Sequence, residues 1–247
     1  MQIQELRCFG DAPGSGNPAL VVEHAPADPA ARAALARERN STVVFVDGAV
    51  LDYYYPHKRS PLCLHATLAA AALLFARQGS TAPITVTTAM AGQPLVLLRD
   101  GADVYVRLQR QPAPQAAADL PALLGAAGPA QVASVGSPKL LVELADAATL
   151  QRLAPDLAAI AAWGQRHGVN GIYAWCRLPD GSFEGRNFNH LDPALEDSAT
   201  GVAAGALAAL LGHDVTLRQG AALGRPCLLR ARVAGDAVLV GGRAEPA

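Results

Sequence analysis

The sequence predicts an α+β protein of two similar half-domains, each with short strands around one buried apolar helix. Two stretches lead to this prediction, 65–78 and 200–211, which are rich in Ala and Leu and have no polar face. A helix that is apolar all round is buried rather than amphipathic. The two stretches begin about half a chain apart, and each follows a strand with a polar, turn-rich end. Repetition on this scale suggests duplication and a pseudo-two-fold arrangement.

In the first half, short runs of β-branched and aromatic residues separated by Gly, Pro and Asp predict strands. These strands cover 3–9, 19–22, 43–46, 50–55, 84–88, 95–98 and 104–108. A helix is predicted at 28–39, because Asp28 can cap its N-terminus and Pro29 suits its first turn. Gly79 is placed to end the buried helix, and Arg-Asp-Gly-Ala at 99–102 predicts a hairpin turn.

The second half repeats this plan after a segment rich in Pro and Ala at 111–128, which we predict to be the linker. Strands are expected at 132–135, 140–144, 171–175, 183–188, 215–217, 228–233 and 237–240, with another helix at 157–167. We therefore expect an N-terminal lobe over 1–112 around helix 65–78. A C-terminal lobe over 113–247 is expected around helix 200–211, with the option that a terminal strand crosses to the first lobe.

Composition and charge exclude several functional classes. The 247 residues carry a formal net charge of -1, with a sequence pI of about 6.6, so neither nucleic acid nor a membrane is expected as partner. The four cysteines lie far apart without a C-x-x-C pair, which favours reduced thiols and gives no metal motif. The sequence has neither a signal-peptide pattern nor an apolar run long enough to span a bilayer. We expect a cytoplasmic protein.

The N-termini of the two apolar helices are the candidate ligand-binding positions. A helix start presents unpaired backbone N–H groups and a partial positive charge, which suit a carboxylate or phosphate. Two such ends facing each other would bind a small acid and favour an enolate-like intermediate. The candidates are Leu64, His65, Ala66, Thr67, Ala199, Thr200, Gly201 and Val202. The alternative is ordinary capping, by Asp197 or Ser198 for the second helix and by a backbone turn for the first.

Side chains beside these helix starts are candidates for proton transfer. A Cys63 thiol near a helix start and His65 would have a depressed pKa, whereas the alternative is a small buried hydrophobe. Glu196 or Asp197 is the natural general acid or base, unless it serves only as an N-cap. Two further polar residues stand in predicted turns, where they would line a cleft or serve only turn chemistry. These are Asn17 and Gln219.

Several blocks run in a fixed order through both halves. In the first half they are RCF…GNPALVV at 7–22, FV at 45–46, YYYP at 53–56 and CLHATLAAA at 63–71. In the second half they are GSPKLLVEL at 136–144, RNF at 186–188, EDSATGVAAGALAALL at 196–211 and QG…GRP at 219–226. Together they resemble the phenazine-biosynthesis (PhzF-like) isomerase family, which shares its fold with diaminopimelate epimerase and proline racemase.

The resemblance implies an α+β fold of two pseudo-symmetric lobes, each a mostly antiparallel β-barrel-like sheet around a central helix, with the active site in the cleft. It implies proton transfer without a cofactor on a small carboxylic acid or amino-acid-like metabolite. The oligomeric state stays open, with a homodimer as one option because related proteins are often dimers. The family uses the His of a C-G-H-A-T motif and the Asp of an E-D-P-A-T-G-S motif. His65 and Asp197 match these two positions.

The acid/base position departs from the family pattern. Thr42 falls where the family has its catalytic Glu, and threonine is not a useful acid or base near neutral pH. The resemblance therefore leaves Asp197 and His65 to move the proton, with Cys63 at the position of a racemase thiol. The partner of that thiol would fall at Ser198, which argues against a two-thiol racemase.

Four further positions differ from the family. Leu64, Ser198 and Val202 replace the motif Gly, Pro and Ser, and Arg59 falls where many members carry Glu. Leu64 and Val202 add bulk at the helix starts, so we expect a smaller or more apolar pocket. Backbone N–H groups remain at both positions, which makes anion binding less sensitive to these changes than catalysis is.

Three functions are compatible with these residues. The first is a PhzF-like isomerase or epimerase in which Asp197 and His65 move a proton. The second is a non-catalytic protein that binds a small acid on the same fold, since the family Glu is replaced by Thr42. The third, a hydrolase with Cys63 and His65 as nucleophile and base, lacks the motif context of such enzymes.

Overall fold

A computed structural model describes residues 1–188 and 196–247. The chain divides into two compact units, an N-terminal unit of Met1–Arg107 with Gly241–Ala247 and a C-terminal unit of Leu108–Val240. The sequence placed this division after residue 112. The final strand begins in the C-terminal unit and ends in the N-terminal unit.

The N-terminal unit is a closed barrel of eight strands around one helix. Its elements are β1 (Gln2–Cys8), β2 (Asn17–Glu23), α1 (Pro29–Glu38), β3 (Val43–Asp47), β4 (Val50–Tyr54), β5 (Arg59–Ser60), α2 (Leu64–Gln78), β6 (Ile84–Thr88), β7 (Pro94–Asp100), β8 (Asp103–Gln109) and the end of β16 (Ala237–Pro246). The strand order is β1-β2-β3-β4-β6-β7-β8-β16, and β16 also pairs with β1, which closes the barrel. Closure pairs every edge of this sheet.

Helix α2 occupies the inside of this barrel, as its apolar sequence requires. Its side chains from Leu64 to Ala71 are all buried, and it packs against β1, β2 and β3. Small alanine side chains let the strands approach the helix closely. The helix ends at Gly79, whose positive φ of 66° is the left-handed conformation that closes many helices.

The predicted local signals of the N-terminal unit are confirmed. The Asp28 carboxylate accepts hydrogen bonds from the backbone N–H groups of Ala30 and Ala31, and α1 begins at Pro29. The hairpin between β7 and β8 turns at Gly101, with Asp100 opposite Asp103.

The C-terminal unit wraps a second sheet around a second helix. Its elements are α3 (Leu120–Leu124), β9 (Ala130–Ala133), β10 (Lys139–Glu143), α4 (Ala147–Gln151), α5 (Leu157–His167), β11 (Ile172–Arg177), β12 (Phe183–Phe188), β13 (Glu196–Asp197), α6 (Gly201–Leu211), β14 (Val215–Gln219), a 3-10 turn (Ala221–Leu223), β15 (Cys227–Ala234) and the beginning of β16. The strand order is β9-β10-β11-β12-β14-β15-β16, and β13 pairs with β12. Helix α6 packs against β9, β10, β14 and β15.

The two faces of this sheet have different partners. Leu140, Val142 and Phe188 pack in a core with residues of α3, α4 and α5. Because side chains alternate between the faces of a strand, Lys139 and Asn187 project to the opposite face, which α6 covers. The fold therefore places polar side chains of β10 and β12 on the face of the sheet that α6 covers.

The predicted fold class is confirmed, and one assignment is wrong. Each unit is a sheet wrapped around one buried helix, as the sequence predicted. The predicted linker at 111–128 instead contains α3, whose Leu120, Leu123 and Leu124 belong to the core of the C-terminal unit. Of the described helices, none has the length and apolarity needed to cross a membrane.

Close packing of α6 gives a first prediction. A Cβ atom at Gly205 would lie 2.7 Å from the Cγ2 atoms of both Val135 and Val240. We expect Gly205→Val to lower the free energy of unfolding by about 1–3 kcal/mol through overpacking, as measured by urea denaturation. Combining it with Val240→Ala is expected to restore part of the loss. A Gly205→Val protein as stable as the wild type would contradict this packing.

Candidate active site

In the N-terminal unit, the start of α2 brings together Cys63 and His65. Cys63 is the N-cap residue of the helix, and its Sγ lies 3.4 Å from Nδ1 of His65. Burial raises the pKa of the Cys63 thiol, but the charge of His65 and hydrogen bonds from His65, Tyr55 and the backbone N–H of Ala66 together lower the pKa below its ordinary value. The lowered pKa increases the thiolate fraction, and the thiolate is the reactive form of cysteine.

A buried hydroxyl pair holds this helix start in place. Thr67 Oγ1 donates to the Cys63 carbonyl at 2.8 Å and lies 2.8 Å from the hydroxyl of Tyr53. No side chain caps α2. The backbone N–H of Ala66, in the first turn, interacts with the Cys63 thiol.

The other predicted residues of the N-terminal unit lie on neighbouring elements. Leu64 and Ala66 are buried in the first turn of α2, and Asn17 is a buried residue that opens β2. Thr42 is half-buried directly before β3, and its carbonyl accepts from the N–H of Leu20 at 2.9 Å.

Arg59 belongs to a partly buried ion cluster. Its Nε donates to Oδ1 of Asp52 at 2.8 Å, and Arg32 Nη1 donates to Oδ2 of the same carboxylate at 3.0 Å. Arg32 also binds Asp47 at 2.7 Å. Both oxygens of Asp52 are therefore occupied, which gives Arg59 a structural partner.

In the C-terminal unit, a hydrogen-bonded network surrounds the start of α6. Oδ2 of Asp197 accepts from Oγ1 of Thr200 at 2.6 Å. Gln219 joins the network through both polar atoms of its side-chain amide. Nε2 donates to the Asp197 carbonyl at 2.7 Å, and Oε1 accepts from the N–H of Thr200 at 3.2 Å. The hydroxyl of Tyr173 also donates to this Oε1, at 3.1 Å. The sequence-predicted residues Asp197, Thr200 and Gln219 are thus brought together.

The structure distinguishes the two adjacent carboxylates, which the sequence left open. Glu196 forms a two-point ion pair with Arg186, at 2.9 and 2.7 Å. Nη1 of Arg186 also donates to the carbonyls of Leu150 and Leu153. Glu196 therefore anchors β13 to the segment that ends α4, whereas Asp197 lies at the start of α6.

The predicted capping of α6 by Asp197 or Ser198 is wrong. The N-cap residue is Thr200, and its side chain makes no capping hydrogen bond. The Asp197 carboxylate instead binds Thr200 Oγ1 and, weakly at 3.5 Å, the N–H of Ala199. The first N–H groups of α6, beginning at Gly201 and the half-buried Val202, have no side-chain cap.

Ser198 is held by a close backbone contact. Gly220 has a φ of 86°, and a Cβ atom there would lie 2.6 Å from the Ser198 carbonyl and 2.2 Å from that of Arg225. Only glycine fits this position. Gly220, which follows the predicted cleft residue Gln219, is therefore required to bring the turn after β14 against the segment before α6.

Sequence reasoning missed two buried polar residues of this unit. Lys139 is fully buried, and its Nζ has no hydrogen-bond partner among the described residues. The side-chain amide of Asn187, directly opposite Asp197 in the pairing of β12 with β13, is also buried and unpartnered in the described part of the chain. Burial lowers the pKa of Lys139 to about 7, although the Asp197 carboxylate raises it. The sequence feature that could have identified Lys139 was a lysine at the start of a strand of mostly apolar residues.

The described residues contain no group of three His, Cys, Asp or Glu side chains that could hold a metal ion. A surface pocket of about 290 Å³ involves Leu74 and Arg77 near the other end of α2, away from the predicted site residues.

With this geometry established, comparison with known proteins gives the family. The model of the phenazine biosynthesis-like proteins (PhzC-PhzF) matches residues 6–246. The chain belongs to this family. An uncharacterized isomerase of Pseudomonas aeruginosa is 31% identical over 256 residues, which cover 99% of this chain and 95% of that protein. The family and its relatives identify the chain as an isomerase-type enzyme.

Solved structures agree with this assignment. A predicted epimerase of Pseudomonas aeruginosa matches with a TM-score of 0.77 and 27% identity, over 99% of this chain and 96% of that one. A hydroxyproline epimerase of Agrobacterium vitis, solved with trans-4-hydroxy-L-proline, matches with a TM-score of 0.63 over 100% of this chain and 90% of that one. At 14% identity, the second likeness shows the fold alone.

Burial of Lys139 predicts a pH-dependent cost to stability. The amine has a pKa of about 7 in the folded protein and about 10.4 in an unfolded chain. Between these values the unfolded chain binds more protons, so the cost grows as pH falls from about 10 to about 7 and then stays constant. We expect Lys139→Met to stabilise the protein, by about 2–3 kcal/mol more at pH 6 than at pH 9.

Urea denaturation at the two pH values measures this difference. Lys58→Met is the matched control, since Lys58 is the other lysine of the chain and is only half-buried. An equal effect of Lys139→Met at both pH values would contradict the lowered pKa.

Proposed function

We propose that this enzyme catalyses proton transfer at carbon, without a cofactor, on a small carboxylic acid or amino-acid-like metabolite. Asp197 acts as the principal acid/base, and His65 acts with Cys63 as a second proton-transferring pair. The observation that carries the proposal is the difference between Glu196, which is fixed by Arg186, and Asp197, which is half-buried at an uncapped helix start.

The Asp197 carboxylate is oriented for this role. Thr200 Oγ1 donates to one of its oxygens at 2.6 Å, and Gln219 holds the Asp197 carbonyl. Thr200 and Gln219 are uncharged, so these hydrogen bonds orient the Asp197 side chain without forming an ion pair. A carboxylate that is held but not neutralised by an ion pair remains able to accept a proton from a substrate carbon.

The helix starts support recognition of a carboxylate. The N-cap residue Thr200 makes no side-chain capping hydrogen bond at α6, and at α2 the backbone N–H of Ala66 interacts with the Cys63 thiol. Backbone N–H groups at helix starts bind anions and stabilise the negative charge of an enolate-like intermediate. The hydroxyproline epimerase with the same fold was solved with an imino acid that carries a carboxylate, which gives a first substrate class to test.

Asp197→Asn tests the proposal. The test follows deuterium incorporation from D₂O into a panel of amino and imino acids, including trans-4-hydroxy-L-proline, by mass spectrometry. Because an amide cannot accept the proton, we expect exchange to fall at least about 100-fold, with a smaller loss in His65→Gln. Asp236→Asn, at an exposed turn, is the matched control. Exchange by Asp197→Asn at the wild-type rate would overturn the assignment.

A second candidate function is binding of a small acid without catalysis. The observation that favours it is Thr42, which has no carboxylate where the family has its catalytic Glu. In that case, an acid from the same panel would raise the melting temperature, while the wild-type protein would incorporate no deuterium into that acid. Deuterium incorporation into any acid that stabilises the protein would exclude this function.

A further inference from the structure

A series of hydrogen bonds runs from the interior of the C-terminal sheet to the start of α6. The Tyr173 hydroxyl lies 3.1 Å from Oε1 of Gln219, and Nε2 of Gln219 lies 3.2 Å from Oγ1 of Thr200. That Oγ1 lies 2.6 Å from Oδ2 of Asp197. We term these four residues the hydrogen-bond relay. Its first three members are at most 6% exposed, whereas Asp197, at its end, is half-buried.

Two backbone groups fix the direction of every hydrogen bond in the relay. A carbonyl can only accept and an N–H can only donate. Gln219 must therefore turn Nε2 to the Asp197 carbonyl, at 2.7 Å, and Oε1 to the N–H of Thr200, at 3.2 Å. It follows that Oε1 accepts from the Tyr173 hydroxyl and that Nε2 donates its second hydrogen to Thr200 Oγ1. Since a threonine hydroxyl has one hydrogen, Thr200 gives that hydrogen to Asp197 Oδ2.

Tyr173 is suited to the first position of the relay. Burial raises the pKa of its phenol well above the usual value, so the hydroxyl keeps its proton and can donate it in a hydrogen bond. Tyr173 is in register with Asn187 of β12, and Gly185, two residues earlier, is in register with Gln219 of β14. A Cβ atom at Gly185 would lie 2.2 Å from the Tyr173 hydroxyl oxygen. The glycine thus leaves the space through which the phenol reaches Gln219.

The relay distinguishes the two oxygens of the Asp197 carboxylate. Oδ2 receives the short, charge-assisted hydrogen bond of Thr200. Within the described residues, Oδ1 has the weak contact of 3.5 Å with the N–H of Ala199. Proton transfer requires an oxygen that can accept and that is held in a productive direction. Oδ1 meets both conditions, because the bond at Oδ2 restricts rotation of the carboxylate.

We propose that Tyr173 is a positioning residue whose buried hydroxyl, at the far end of the relay, fixes the Asp197 carboxylate by Oδ2 and presents Oδ1 for proton transfer. Tyr173 is enclosed, so it acts through the relay and does not touch the substrate. This inference rests on the proposed function of Asp197 for its catalytic consequence, whereas the positioning of the carboxylate stands independently.

NMR of the Asp197 carboxyl carbon tests the positioning directly. In protein labelled with ¹³Cγ-aspartate, Asp197→Asn identifies the Asp197 resonance by its loss. We expect Tyr173→Phe to shift this resonance at pH 7, and Thr200→Val to shift it further in the same direction. Tyr105→Phe is the matched control, since it removes a buried hydroxyl of the other unit that donates to Asp103 at 3.5 Å. An Asp197 resonance that Tyr173→Phe leaves in place, or that Tyr105→Phe moves equally, overturns the inference.

The catalytic consequence has a separate readout in the deuterium-exchange assay. For an acid of the panel that the wild type exchanges, Tyr173→Phe should lower kcat about fivefold, the value of one hydrogen bond. KM should stay within about twofold, because binding is retained while the base is less well directed. Thr200→Val should lower kcat by more than Tyr173→Phe does, whereas Thr200→Ser, which keeps the hydroxyl, should retain most of the rate.

The double variant separates positioning from a general structural role. In Thr200→Val the relay is already broken, so adding Tyr173→Phe should cost less than about twofold in kcat. The same fivefold loss in both backgrounds would mean that Tyr173 does not act through Thr200, which overturns the positioning role.

These outcomes distinguish failure of the inference from failure of the proposed function. Wild-type exchange by Asp197→Asn would overturn the proposed function, while the resonance shifts would still decide the positioning. If no acid of the panel is exchanged by the wild type, the resonance shifts alone decide it. Loss of exchange in Asp197→Asn, together with an Asp197 resonance that Tyr173→Phe does not move, would support the proposed function and overturn the inference.

Discussion

Burial of a helix without a polar face is the constraint on which the structure of each unit depends. Helix α2 has nine buried residues among its fifteen, and α6 has seven among its eleven. Such a helix is stable only when strands surround it, because any apolar side chain left exposed to water would not contribute the hydrophobic free energy of burial. In the N-terminal unit this requirement is met by a closed barrel, which also leaves no unpaired strand edge.

The same constraint creates the chemical character of the helix starts. A helix that is enclosed by strands brings its first N–H groups into a partly buried environment, and neither α2 nor α6 has a side-chain cap. Polar residues around these starts must then be satisfied by one another. Tyr53 and Thr67 do this at α2, while Thr200, Gln219 and Tyr173 do it at α6.

Charged groups near the two helices divide into those that are neutralised and those that are not. Asp52 is bound by two arginines, and Glu196 is bound by Arg186. These pairs anchor strands, and their cost of burial is offset by hydrogen bonds. The Asp197 carboxylate instead accepts hydrogen bonds from Thr200 and Ala199, and Lys139 Nζ has no hydrogen-bond partner among the described residues.

The start of α2 carries a pair of titratable side chains. Cys63 has a thiol of lowered pKa, and its Sγ lies 3.4 Å from Nδ1 of His65. Under the proposed function, this pair and Asp197 supply proton-transferring groups that do not depend on a carboxylate at position 42.

Periodicity and local signals in the sequence determined the two buried helices, the Asp28 cap and the hairpin at Gly101, because each depends on residues close in the chain. The order of family motifs determined the enzyme family. Only the tertiary structure decided that Glu196 pairs with Arg186, that Thr200 is the N-cap of α6, and that Lys139 lies on the same sheet face as Asp197. These facts depend on strand register and on contacts between distant segments. The composition of a single segment does not specify which charge it will meet across a sheet.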